Sequence, residues 1–170
     1  MRENAFGGGS RESCRGDCRA GTYVGGWKLK YIGIDYGDAR TGIASTDHSG
    51  TLAVAEKAIT EYDRDRLVLK IKAEAERLGA DTAVLGLPLN MNGSEGPRAE
   101  LCREFAAKLA EQIEVPVRMW DERQTTVSAA GYLNETDTRG KKRKAVIDAV
   151  AAVIILDSYI QWRKNHPGEF

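Results

Sequence analysis

The run Thr82–Leu87, TAVLGL, constrains this chain most. It is apolar almost throughout, and it is bounded by Asp81 and by Pro88. Six residues are too few for a buried helix, so the run reads as a central strand covered on both faces. Such a strand needs parallel neighbours and helices above and below it.

The flanking sequence supplies those partners. Residues 29–35 alternate, with Leu29, Tyr31, Gly33 and Asp35 on one face and Lys30, Ile32 and Ile34 on the other. Residues 42–46 and 52–59 read as two more strands, joined by short turn-forming segments, so the first three strands form an antiparallel meander. Residues 63–78 carry a helical stripe of Leu67, Ile71, Ala75 and Leu78, stopped by Gly79. A polar loop, PLNMNGSEG, leads into a helix over 97–112 with Pro97 in its first turn. A strand over 115–120, a short helix over 124–133, a basic loop and a last helix over 141–163 complete the chain. The expectation is an α/β domain with a mixed five-stranded sheet flanked by helices, occupying residues 28–170. Residues 1–27 are rich in Gly, Arg and Ser without apolar period, and read as a disordered extension.

Composition excludes some classes. The chain has 170 residues, enough for one core. Acids and bases balance at 25 each, so any nucleic-acid signal must be local. The longest apolar run, Ala149 to Leu156, is far short of a membrane span, and no signal-peptide core precedes the domain, so a cytoplasmic, membrane-free protein is expected. Cys14, Cys18 and Cys102 read as free thiols.

Carboxylates mark the ends of elements. Asp35 closes the first strand, in YIGIDYGDARTGIAS. Asp121 and Glu122 close the last, in WDERQTT. Asp148 sits in the final helix among small residues, Ala145, Ala149, Ala151 and Ala152, which allow close approach to the sheet. Three carboxylates meeting at one sheet edge would repel unless a cation lay between them, and oxygen-only ligands suit Mg²⁺ or Mn²⁺. Two such ions about 4 Å apart activate water and stabilise the leaving oxygen in phosphodiester cleavage. Each acid also has a plainer reading. Asp35 fits a turn cap, Asp121 or Glu122 fits a helix cap or a partner of Arg123, and Asp148 fits an i,i+4 partner of Lys144. Strand alternation sends Asp121 and Glu122 to opposite faces, so one of them faces the site. Gly33, two residues before Asp35, leaves room on the same face.

The basic run Arg139, Lys141, Lys142, Arg143 and Lys144 is the one strong charge asymmetry. It reads either as a solvated helix start or as a grip on a phosphate backbone, and the second explains why cations oppose the helix dipole there. The loop before the 97–112 helix reads as a packed turn or as an anion contact.

Taken together, GIDYGDARTGIA, VLGLPLNMNGSEG, WDERQTT and KKRKAVIDAVAAVIIL, in that order over residues 29–163, closely resemble the YqgF family, also called RuvX. The resemblance implies an RNase H-like fold related to the RuvC Holliday junction resolvases. It implies a metal-dependent nuclease of the pre-16S rRNA 5′ end, acting in ribosome maturation, with RNA favoured over DNA and a ribosomal precursor particle as partner. Asp35, Glu122 and Asp148 take the roles of metal ligands and catalytic acids for one or two Mg²⁺ or Mn²⁺, with Asp121 as the weaker alternative to Glu122. Arg40, Arg139, Lys141, Lys142, Arg143 and Lys144 take the role of backbone contacts. RuvC-type resolvases carry a further acid on the central strand, where this chain has Gly86-Leu87-Pro88. The rival readings are a four-way DNA junction resolvase, which needs a dimer, an ATP-handling fold, which needs a second subdomain, and a non-catalytic RNA-binding assembly factor. Monomer and homodimer both stay open.

Overall fold

The computed structural model describes residues 23–24, 27–124 and 141–166, with side chains described for 29–123 and 147–166. Its elements in chain order are β1 (Tyr23–Val24), β2 (Trp27–Lys28), β3 (Tyr31–Asp35), β4 (Arg40–Thr46), β5 (Ala53–Thr60), α1 (Arg64–Leu78), β6 (Thr82–Leu87), α2 (Pro97–Gln112), β7 (Val117–Asp121), a 3₁₀ turn (Glu122–Gln124) and α3 (Lys141–Asn165). The main sheet runs β5-β4-β3-β6-β7. The meander β3-β4-β5 is antiparallel, and β6 is parallel to both β3 and β7, as its apolar run requires.

The boundaries follow local chemistry. β7 starts two residues later than expected, because Pro116 cannot donate to a ladder and instead accepts from Ala83 N at 2.9 Å. Asp63 caps α1 by accepting from Arg66 N at 2.9 Å, and Gly79 ends it in the left-handed region at φ 62°. The β1–β2 pair lies, but for Lys28, within the 1–27 stretch expected to be disordered; the rest of that stretch, residues 1–22 and 25–26, falls outside the described residues, as does the helix expected over 124–133 beyond its first residue.

Two cores share the sheet. Ile32, Ile34, Leu85 and Leu87 pack against α1 and α2 through Leu67, Ile71, Phe105 and Leu109. Tyr31, Ala44 and Val84 pack against α3 through Ala152, Val153, Ile155, Leu156 and Tyr159. Odd residues of β3 therefore face α3, which places Asp35 on that side.

Candidate active site

Glycines bring α3 onto the sheet. A Cβ at Gly42 would stand 1.8 Å from the carbonyl oxygen of Asp148, and one at Gly33 would stand 2.9 Å from Ala152 O and 2.8 Å from Leu156 Cβ. Helix backbone thus touches strand backbone. The room that the sequence led one to expect beside Asp35 at Gly33 is not open, because α3 fills it. Gly42 is the ladder partner of Asp35, so the backbone of Asp148 lies over the residue directly across from Asp35.

Glu122 reaches the same face from the first position of the 3₁₀ turn that follows β7. Its Oε1 lies 2.4 Å from where a Cβ on Gly86 would be, beside Ile155 of α3. The carboxylate of Glu122 thus fills the side-chain space that Gly86 leaves on the central strand. Asp121 goes to the other face, as alternation requires. Its carboxylate accepts from Arg123 N at 3.0 Å, Nε at 3.1 Å and Nη2 at 2.6 Å, and this pairing holds it below the usual carboxylate range. Asp121 therefore takes the plainer capping role.

The two inward acids behave as crowded, buried charges. Burial pushes the Asp35 carboxyl up, and the nearby charge of Asp148 pushes it further. Burial, followed by the charge of Asp35, raises Glu122 to about 7. Asp35 is the shared neighbour of the other two. Asp148 lies 2.8 Å from Arg40 Nε through Oδ2. The distance makes an ion pair, yet both atoms are buried and neither finds aligned hydrogen-bond geometry, so the contact is Coulombic. The i,i+4 pairing of Asp148 with Lys144 concerns a side chain outside the described residues, as do the side chains of Lys141, Lys142 and Arg143; Arg139 lies outside them entirely.

Arg98, the second residue of α2, is a site residue that the sequence reading missed. It donates to Tyr36 O at 2.6 Å and pairs with Asp38, while lying over the Tyr36 ring at 5.4 Å. That ring stacks on Phe105 at 4.2 Å. Arg98 thereby fastens the turn after Asp35 to α2, and its charge lowers the carboxyls of both Asp35 and Glu122. The available signal was a cation in the first turn of a helix, where the dipole disfavours one.

Among the described residues, no three Asp, Glu, His or Cys side chains stand close enough to surround one ion as placed. The donor chemistry nonetheless fits a hard divalent cation: every candidate donor is a carboxylate oxygen, and burial disfavours the charge of Asp35 and Glu122, helped by Asp148 at the first and by Asp35 at the second.

Residues 29–162 match the family model described as RuvX, Holliday junction resolvase. This chain belongs to the RuvX family. Relatives named "putative pre-16S rRNA nuclease" include one from Halothermothrix orenii, 39% identical over 140 residues, covering 82% of this chain and all of the relative. Another, from Caldanaerobacter subterraneus, is 43% identical and covers 81% of this chain and 99% of the relative. Among solved structures, RuvC of T. thermophilus in complex with a Holliday junction substrate matches with TM-score 0.53 and 11% identity, over 81% of this chain and 96% of that one. This likeness bears out the expected RNase H-like architecture of the RuvX domain. No described helix is long and apolar enough to cross a membrane.

Proposed function

We propose that residues 28–170 form a nuclease that hydrolyses RNA phosphodiester bonds and trims the 5′ end of pre-16S rRNA in ribosome maturation, in the bacterial cytoplasm. One observation carries the reading. Asp35 from β3, Glu122 from the end of β7 and Asp148 from α3 lie on one face at one sheet edge, with Asp35 electrostatically coupled to both. The charge of Asp148 raises Asp35, and that of Asp35 raises Glu122, as expected of acids gathered at a functional site.

In this reading Asp35, Glu122 and Asp148 hold one or two Mg²⁺ or Mn²⁺ ions, which when bound activate water and stabilise the leaving oxygen. Arg98 keeps the turn after Asp35 in place through the Tyr36 carbonyl. Gly42 and Gly86 admit the Asp148 backbone and the Glu122 carboxylate. Arg40, Arg139 and the basic start of α3 hold the flanking phosphate backbone, whose charge offsets theirs at the helix start.

The test compares two labelled substrates with Mn²⁺: a 5′-extended 16S rRNA precursor and a four-way DNA junction. The expected result is trimming of the RNA, abolished in Asp35→Asn. Symmetric nicking of the junction would replace this reading with the resolvase. RNA binding without cleavage by folded wild-type protein would replace it with an assembly factor.

A further inference from the structure

Arg40 stands where it interferes with Asp148. It opens β4, two residues before Gly42 and on the same face, and its Nε lies 2.8 Å from Asp148 Oδ2. The backbone of Asp148 cannot approach Asp35 further, because its carbonyl already rests against Gly42. Only its side chain is free to choose a partner, between Arg40 on β4 and Asp35 on β3. The present choice is poor: Arg40 Nε and Asp148 Oδ2 are both buried, and neither makes an aligned hydrogen bond. Buried polar atoms left so are costly, and the pair persists because the alternative is two carboxylates facing each other without a cation.

We propose that Arg40 and the divalent ion compete for Asp148. In the metal-free protein the guanidinium supplies the positive charge beside this carboxylate. Loading the ion transfers Asp148 to the ion and releases Arg40, at the rim of the same edge, for a substrate phosphate. Metal binding and phosphate binding are therefore coupled through one arginine, and by linkage each favours the other. This inference rests on the metal-assisted nuclease reading above.

The test is Mn²⁺ binding to the full chain at neutral pH, followed by titration calorimetry without nucleic acid, so that no turnover is read. The variants are R40Q and R40K, with D148N and D35N as references. Competition predicts that R40Q binds Mn²⁺ at least fivefold more tightly than wild type, the lower end of typical coupling between sites. R40K, which keeps a cation, stays closer to wild type. D148N and D35N bind more weakly. A second readout uses Ca²⁺ in place of Mn²⁺ with a short single-stranded RNA. Ca²⁺ strengthens RNA binding by the wild type and does so less in R40Q. If wild type binds Mn²⁺ through Asp35 and Asp148 but R40Q binds equally or more weakly, Arg40 supports the ligand instead of competing, and the proposal falls while the metal reading stands. If neither wild type nor R40Q binds Mn²⁺, both fall.

Discussion

Two faces of one sheet put consecutive residues of the same strand to different uses. Towards α1 and α2, β3 presents Ile32 and Ile34, both fully buried among Leu67, Ile71, Phe105 and Leu109. Towards α3, it presents Tyr31, Gly33 and Asp35. The α1/α2 face is filled by large aliphatic side chains, and its contribution to stability is hydrophobic burial. The α3 face is also apolar at its far end, where Tyr31, Trp120 and Tyr159 meet edge to face. Approaching the carboxylate edge it narrows to Gly33, Gly42 and Gly86, so that helix backbone and acid groups occupy space that side chains fill elsewhere. The first face holds the domain together; the second gives up packing volume to hold charges where they repel.

Breaking the first face has the largest expected effect on stability. Ile34→Ala costs about 2–5 kcal/mol, as expected for a fully buried aliphatic side chain, seen as a lower urea midpoint. Its neighbour Asp35→Asn, one residue along on the other face, leaves the midpoint unchanged or raises it, since it removes a repulsion, and weakens Mn²⁺ binding. Equal destabilisation by both would erase the distinction between the faces.

Gly42→Ala comes next. The added methyl meets the Asp148 carbonyl, which is backbone and cannot yield cheaply. The expected loss is about 1–3 kcal/mol, with α3 lifted and Mn²⁺ affinity lowered together. Gly86→Ala separates these effects. The atoms it meets are Glu122 Oε1 and Ile155 Cδ1, both the ends of side chains. It costs about 1 kcal/mol, the low end for overpacking, while displacing Glu122 and reducing cleavage severalfold.

The two faces also differ in pH dependence. Glu122 in the fold titrates at about 7, above its ordinary 4.5, and Asp35 is shifted the same way. The folded state therefore holds these protons more tightly than the unfolded state. The stabilising contribution of Glu122 is complete below pH about 4.5, declines as pH rises to about 7, and is absent above that, and Asp35 contributes in the same direction. With EDTA present, the urea midpoint at pH 8 should lie below that at pH 5, and Glu122→Gln should shrink the gap. An unchanged gap in this variant would show that Glu122 is not a crowded acid.

Much of this was legible in the sequence because it depends on short-range periodicity. TAVLGL announced a doubly covered strand, and the alternation in β3 and β7 separated Asp35 and Glu122 from their neighbours. What escaped depends on contacts far apart along the chain. Arg98 reaches a carbonyl 62 residues away, and Arg40 pairs with a helix residue more than a hundred positions later. The role of Gly33 was misjudged for the same reason: the space beside a glycine is visible in sequence, but the helix that fills it is not. No pattern within β3 reports the distance at which α3 passes.

The most direct test of the account is a crystal structure of the wild-type chain soaked in Mn²⁺, with the ion located by anomalous scattering. The account predicts an ion bound by Asp35 together with Asp148 or Glu122, on the α3 face. Anomalous density elsewhere, with none at Asp35, would contradict it.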